Sequence, residues 1–513
     1  VGIENREPRI ENEGAADWDN VMAEMPNVLV IMCDQMKATA SHLWGSSFCE
    51  TPSMERLAGT GVRFEYCVTP HPLCVPARIS FWTSQWPHTH GGRRNETLMP
   101  ADAPHVFKLW KDAGYHTGLI GKNHCFEAPE DIERFDTYCE ITHGGIPKGA
   151  PENRGMAWFR SREQIDAGHT ARRNMPNVSP HFSYAITDHP LEDYSTGLVA
   201  GQTVRFLEAH KDESFALWVS IPDPHGPYEV PRQYAEMFGP DVVALPPRRE
   251  DEFSDGSAPE RNRVVDEMIG LDDDPEEEIR AVVGVYHAMV RFLDDAVGQI
   301  LDALEANGLR ENTIVVFCSD HGDYAGEHHT MGKGGTFYDC LTRVPLIVSW
   351  PGQVPEGVTD SSMANLVDVV PTLLDLQGLE IPRSMNGQPL PTVTTASARD
   401  ATFSEYGAGG QPFTMRDLEK MKKPYGRRAI GASLQWREAE GRRKMVRTAN
   451  WKYVHDSMMG PSEDELYDLV NDPWELRNVV ADPGNREILA EMQLQLADWS
   501  IRTEDPRSVP LPE

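Results

Sequence analysis

Short apolar runs rich in Val, Ile, Leu and Phe recur along this chain, and most are followed by a stretch with helical periodicity. Strand candidates are Asn27–Cys33, His116–Ile120, Phe215–Ile221, Thr313–Cys318 and Pro345–Ser349. Helix candidates include Pro52–Gly59, Pro104–Ala113, Tyr194–His210 and Glu277–Asn307. Strands apolar on both faces must be covered on both faces, so the alternation predicts an α/β fold, a mostly parallel sheet sandwiched by helices. The same pattern predicts where chemistry sits. Polar residues lie just past the ends of four runs, as Asp34 and Gln35, Lys122 and His124, Asp223 and His225, and Asp320 and His321. Ligands in open α/β sheets bind at the carboxyl ends of strands, so four strand exits point to one crevice.

A chain of 513 residues can hold a large catalytic domain and a smaller appended one. The expected division is a polar N-terminal arm over 1–25, a catalytic domain over 26–395 and a C-terminal α+β subdomain over 396–513. In the last of these, Arg443–Asp456 reads as a hairpin of short strands and Arg486–Thr503 as a closing helix. Residues 144–190 break the periodicity and read as a long inserted loop for a substrate pocket or an oligomer contact. Trp158, His169, Arg172, Arg173 and His181 are its candidate pocket residues. A net charge of −32 argues against nucleic acid or an anionic membrane as partner. No run approaches the ~20 apolar residues of a membrane helix. Residues 1–25 lack the basic start and apolar stretch of a signal peptide, and the 8 Cys form no regular framework. Together these read as a reducing, cytoplasmic setting. The acidic segment Asp272–Glu278 reads as solvated surface leading into a helix N-terminus.

The densest chemical signal is Cys74-Val75-Pro76-Ala77-Arg78. Pro76 suits the first turn of a helix, where a missing N–H costs nothing. Cys74 is then expected at the helix N-terminus, facing free N–H groups and the positive dipole end. Arg78 returns to the same face one turn later. A reactive side chain beside a fixed cation suits attack on an anionic ester. The spacing alone also describes a buried thiol ahead of an ordinary helix.

Other motifs settle the choice. They are Asn27-Val28-Leu29-Val30-Ile31-Met32-Cys33-Asp34-Gln35, Gly114-Tyr115-His116-Thr117-Gly118-Leu119-Ile120-Gly121-Lys122-Asn123-His124, Asp223-Pro224-His225-Gly226-Pro227-Tyr228 and Cys318-Ser319-Asp320-His321-Gly322-Asp323. Trp451-Lys452-Tyr453 and Glu465-Leu466-Tyr467-Asp468-Leu469-Val470-Asn471-Asp472-Pro473 follow near the C-terminus. With them the chain resembles the sulfatase family of the alkaline-phosphatase-like superfamily, over residues 26–483 in family order. The resemblance implies an alkaline-phosphatase-like fold and an arylsulfatase-like hydrolase of sulfuric esters. It implies that a maturation enzyme oxidises Cys74 to formylglycine, whose hydrated aldehyde is the nucleophile. The partner is then a small anionic ester, and a homo-oligomer is the expected assembly.

The resemblance also assigns residues. Asp34, Gln35, Asp320, His321 and the modified Cys74 would ligate one divalent ion. Gln35 stands where the commonest sulfatase pattern has Asp, and His321 where it has Asn. Both exchanges resemble phosphonate monoester hydrolases, so phosphonate monoester or phosphodiester hydrolysis is the alternative activity. Losing a carboxylate and gaining a nitrogen favours Mn²⁺, with Ca²⁺ the second candidate. Arg78 is implied to hold the nucleophile, Lys122 to neutralise a non-bridging ester oxygen, and His124 to bind the diol or take its proton. Lys122 and His124 match the sulfatase Gly-Lys-x-His element, which favours sulfate esters. His225 and Lys333 match positions facing the leaving-group oxygen. Asn95 fits a substrate contact of the phosphonate hydrolase branch and equally a plain turn residue. Thr83-Ser84-Gln85 replaces the usual Thr-Gly-Arg, which is expected to alter local helix packing.

Overall fold

The computed structural model describes residues 25–101, 103–126, 129–142, 160–173, 183–272, 274–421 and 441–503. Trp158, His181 and residues 1–24 lie outside the described residues. In chain order the first strands are β1 (Asn27–Asp34), β2 (Gly61–Val68), β3 (His116–Gly121), β4 (Thr137–Glu140), β5 (Tyr184–Thr187) and β6 (Phe215–Pro224). They continue as β7 (Tyr228–Pro231), β8 (Thr313–Ser319), β9 (Arg343–Val344), β10 (Leu346–Ser349) and β11 (Val358–Asn365). Nine of them form one sheet, ordered β11–β2–β10–β8–β1–β6–β3–β4, with the short β9 paired to β2. The neighbours of β1 and β3 are parallel, whereas β10 runs against both β2 and β8. The fold is therefore the mostly parallel α/β sandwich expected, with a reversed strand at the Pro345–Ser349 run.

Side-chain alternation in the central strands divides the interior into two cores. In β1, Leu29, Ile31 and Cys33 face one core, while Val28, Val30 and Met32 face the other. In β8, Val315 and Phe317 share the first core, and Ile314, Val316 and Cys318 the second. Each such side chain contributes roughly 1.5–3 kcal/mol by leaving water, so a one-residue slip of either strand would be costly on both faces. The long helix Glu276–Ala306 covers the first core together with the helix Ser195–Ala209. The helix Cys74–Thr83 is buried along its whole length, with Val75, Ile79, Phe81 and Trp82 in the second core. The nucleophile candidate is thus mounted on a helix that cannot rock without opening that core.

A second sheet is antiparallel and runs in the order β12 (Ala401–Tyr406), β13 (Arg443–Thr448), β14 (Trp451–Asp456) and β15 (Glu465–Asp468). The helix Arg486–Arg502 packs on it through Met492, Leu496 and Trp499. Trp86, just beyond the helix Cys74–Thr83, inserts into this cluster edge-on to Trp499 at 5.0 Å, and Phe403 stacks on Trp499 at 4.7 Å.

Residues 144–190 are not all loop. Their described part contains the helix Arg162–Ala171 and β5, which pairs with β7. The signal was a capping box: Ser161 accepts from the Gln164 N–H, and Gln164 reaches back to the Ser161 N–H. Arg172, expected in a pocket, joins Arg160 in clamping Glu229 at 3.1 and 2.6 Å. His169 is exposed, and Arg173 bridges to Tyr184 through the backbone. Among the described residues, no helix is long and apolar enough to cross a membrane.

Candidate active site

Three strand ends and one helix start build the site. β1 ends at Asp34, and the chain turns sharply at Gln35, whose φ is +71°. The Gln35 N–H donates to Asp320 Oδ1 at 3.1 Å, which ties the end of β1 to the end of β8. Ser319 strengthens the tie by accepting from the Met36 N–H and donating to the His321 carbonyl, both at 2.9 Å. Gly322 lets the chain pass where a Cβ would lie 1.9 Å from the Cys340 carbonyl oxygen. Gly121, at φ +108°, plays the same part after β3, where a Cβ would lie 1.9 Å from the Ser220 oxygen. That close approach lets the Lys122 N–H bond to Ser220 O at 2.8 Å and turns the Lys122 side chain inward.

The side chains of Asp34, Cys74, Asp320 and His321 converge, one ligand atom of each lying within 4.8 Å of the others. All four are buried. Cys74 Sγ is 3.1 Å from His321 Nε2 and 3.6 Å from Asp34 Oδ1. His321 Nε2 is 3.7 Å from Asp34 Oδ1 and 3.8 Å from Asp320 Oδ1. His321 Nδ1 donates to the Gly322 carbonyl at 2.9 Å, which leaves Nε2 with its lone pair toward the cluster. Gln35 donates its Nε2 to Asp323 at 2.5 Å, and its Oε1 is buried with no hydrogen-bond partner. Two converging carboxylates and an imidazole, with an orphan acceptor on the residue next to Asp34, are the kind of donors a divalent cation satisfies. The residues present fit such an ion.

Cations balance the carboxylates from the other side. Arg78 spreads over four acceptors: Asp320 Oδ2 at 2.9 Å, Asp34 Oδ2 at 3.1 Å, Ser220 Oγ at 2.8 Å and the Lys122 carbonyl at 3.2 Å. Lys122 pairs with Asp34 and lies 4.0 Å from Cys74 Sγ. Lys333 reaches Cys74 Sγ at 3.0 Å and His321 Nε2 at 3.1 Å. Burial and the neighbouring Cys74 push the Asp34 carboxyl up, but Lys122, His225 and Arg78 outweigh them and hold it well below the carboxylate range. Burial likewise opposes ionisation of Cys74, and Lys122 and Lys333 lead in overcoming it, so its thiol lies well below the ordinary value. A net acidic protein has gathered three basic side chains around one small volume.

His124 has φ +61° and sets its ring against Cys74, leaving Nδ1 buried without a partner. His225 follows β6 and donates Nδ1–H to the Gly226 carbonyl at 2.5 Å. Asn95 accepts the Val75 N–H at 3.2 Å, satisfying an open donor at the start of the Cys74 helix. Asp223 is not part of the cluster. It accepts from Thr196 Oγ1 at 2.5 Å and Ser195 Oγ at 3.3 Å, at the start of the helix Ser195–Ala209. Ser84 takes the left-handed backbone that a glycine would adopt freely, at φ +53°. Its hydroxyl donates to the Val367 carbonyl at 2.7 Å and accepts from Gly387 at 3.1 Å, so the exchange is held by packing against a neighbouring loop. Sequence reasoning gave no role to Ser220 and Asp323, because each acts on another functional side chain. Asp323 at least sits in the Asp-His-Gly-Asp run.

Comparison with known proteins agrees with this geometry. The sulfatase family model matches residues 26–379. Choline-sulfatase of Rhizobium meliloti (strain 1021) is 28% identical over 505 residues, covering 94% of this chain and 88% of that protein. A multifunctional alkaline phosphatase superfamily protein, PehA of Trinickia caryophylli, is 26% identical over 93% of this chain and 96% of its own length. Among solved structures, the phosphonate monoester hydrolase of Silicibacter pomeroyi superposes with a TM-score of 0.74 at 23% identity, over 94% of this chain and 96% of that one. This last likeness concerns the fold.

Proposed function

The chain belongs to the sulfatase family of the alkaline-phosphatase-like superfamily, hydrolases of sulfate esters, and we propose that its turnover uses a formylglycine made from Cys74 beside one divalent ion. The observation that carries this reading is the placement of Cys74 Sγ, within 3.0–4.0 Å of Lys333, His321, Asp34 and Lys122. Asp34, Gln35, Asp320 and His321 would hold the ion, which when bound supplies a Lewis acid that screens the ester and favours an ionised hydroxyl. Sγ stands in for a hydroxyl of the hydrated aldehyde, whose chemistry is attack by one oxygen and release of sulfate as the other restores the aldehyde.

The remaining roles belong to the chain's own groups. Arg78 fixes Asp34 and Asp320 relative to the nucleophile and holds their charge in place. Lys122 and Lys333 lie 4.0 and 3.0 Å from the atom that marks the nucleophile; Lys122 binds a non-bridging oxygen of the ester, and Lys333, expected at the leaving oxygen, is close enough to the attacking atom to bind a second non-bridging oxygen instead. His124, with a free buried Nδ1 and its ring against Cys74, takes the proton as the diol collapses. His225, its Nδ1–H committed to Gly226, would act as the imidazolium and give the Nε2 proton to the leaving oxygen.

Two measurements test the proposal. Peptide mass analysis of the Cys74 segment should find oxygen in place of sulfur. Kinetics on an aryl sulfate, an alkyl sulfate, a phosphonate monoester and a phosphodiester should show sulfate esters preferred, with most turnover lost in Cys74→Ala. Near wild-type rates in a metal-replete Cys74→Ala preparation would sink the mechanism. A second reading, phosphonate monoester hydrolysis, is favoured by the uncharged pair Gln35 and His321 among the ligand positions. The similarity to a multifunctional protein of the alkaline phosphatase superfamily is in keeping with more than one activity on this scaffold. A wild-type protein faster on phosphonates would make that reading the primary one.

A further inference from the structure

The metal site proposed above works only if Gln35 turns its oxygen, not its nitrogen, toward the cluster. We infer that Asp323 is the positioning residue that fixes this choice and, by the same contacts, requires an uncharged side chain at position 35. The inference rests on the metal reading and adds a residue to it.

Asp323 is fully buried and both its oxygens are engaged. Oδ1 accepts the backbone N–H groups of Ala325 and Gly332, each at 2.8 Å. Oδ2 accepts Gln35 Nε2 at 2.5 Å and the Tyr228 hydroxyl at 2.8 Å. With two backbone N–H groups on Oδ1 and the Tyr228 hydroxyl on Oδ2, both oxygens already serve as acceptors, so Asp323 draws the NH₂ end of the Gln35 amide and directs Oε1 the other way. The orphan state of Gln35 Oε1 follows from that pull. The backbone of Gln35 is pinned independently by its N–H bond to Asp320, so the side chain has little freedom except to flip its amide. A carboxylate at position 35 has no N–H and would set an oxygen against Asp323 Oδ2 where the amide now donates at 2.5 Å.

The two backbone donors make substitutions predictable. In Asp323→Asn they hold the new carbonyl oxygen in the Oδ1 position and force the new NH₂ toward Gln35. Gln35 must then flip to accept from it, which presents an NH₂ donor to the cation position. In Gln35→Glu, Asp323 repels the new carboxylate. In the double variant Gln35→Glu/Asp323→Asn, the new amide at position 323 donates to one oxygen of the new carboxylate at position 35 and leaves the other for the ion.

The test is Mn²⁺ binding by calorimetry to the chelator-treated full chain, with ion-dependent shifts in unfolding temperature as a second readout. Each single variant should bind Mn²⁺ about ten-fold or more weakly than wild type, as expected for one misdirected ligand. The double variant should return to within a few-fold of wild type. That recovery distinguishes positioning from simple misfolding, which a second substitution would not repair. Single variants that bind like wild type, or a double variant as weak as the weaker single or worse, overturn the inference. Asp320→Ala separates the two levels of argument. If wild type binds and Asp320→Ala does not, a failed rescue defeats only the role of Asp323. If wild type itself binds no divalent ion, the metal reading falls and this inference with it.

Discussion

Replacing Lys122 by Ala should discriminate between sulfate and phosphonate substrates. Its ammonium is almost enclosed, with 7% of the side chain exposed, and it lies 4.0 Å from the atom that marks the nucleophile. A unit charge at that distance interacts by about 4 kcal/mol at an effective dielectric constant of 20. A sulfate monoester shares one charge among three non-bridging oxygens, so one of them carries only a fraction of this. A charge-assisted hydrogen bond left unmade costs roughly 1.5–3 kcal/mol, or about ten- to a hundred-fold in rate. The loss expected in kcat/KM for an aryl sulfate is therefore ~10–100-fold. A phosphonate monoester has carbon in place of one such oxygen, so it makes less use of Lys122 and should lose less. The assay is kcat/KM for paired aryl esters sharing one leaving group, at saturating metal, because Lys122 also pairs with Asp34. Metal content must be measured in both proteins. Equal losses for the two substrates, or a loss that follows metal content alone, would refute the idea that Lys122 reads the third oxygen.

Other outcomes follow from the same geometry. Chelation should abolish turnover and Mn²⁺ should restore it, because Asp34, Cys74, Asp320 and His321 converge on one volume; full activity after exhaustive chelation would contradict this. Asp223 supplies a pH signature. Burial, only partly offset by Thr196 and Ser195, pushes its carboxyl up to about 6 from 3.8. The native state then keeps a proton that the unfolded chain has lost across that window, so its contribution to stability falls as pH rises from about 4 to about 6. The loss is of order 3 kcal/mol by linkage. Asp223→Asn should therefore gain on wild type as pH rises through the window, in unfolding midpoints compared at each pH. A difference between the two proteins that is independent of pH would refute the assignment.

The parts legible in sequence were those where one residue carries its own chemistry. Asp34, Cys74, Asp320 and His321 are named by strand ends and motifs, and the structure brings them together. β2 was not read because Arg63, Glu65 and Tyr66 interrupt its apolar run, each only partly covered. β11 was hidden more deeply: Val-Thr-Asp-Ser-Ser-Met-Ala-Asn reads as a polar loop, and only its pairing with β2 makes it a strand. Asp223 was read as part of the crevice because it ends an apolar run, but the hydroxyls of Ser195 and Thr196 claim it instead. No periodicity in one segment announces a partner nearly thirty residues away. Asp323 and Ser220 were illegible for the same reason, since what they do is defined by Gln35 and Arg78.

The aromatic lock formed by Trp86, Phe403 and Trp499 sets an order of events during synthesis. The helix bearing Cys74 ends just before Trp86, whose ring packs on Trp499 of the helix Arg486–Arg502, made hundreds of residues later. At a translation rate of 5–20 residues per second, that interval is of order 20–80 s. Asp320 and His321, which follow β8 and converge with Cys74, also emerge long after it. In the finished protein Cys74 is 1% exposed, in contact with Lys333 and His321. If Cys74 is converted as proposed above, the conversion would have to precede this closure, within tens of seconds of synthesis, and a slower ribosome or a delayed C-terminus would widen that window.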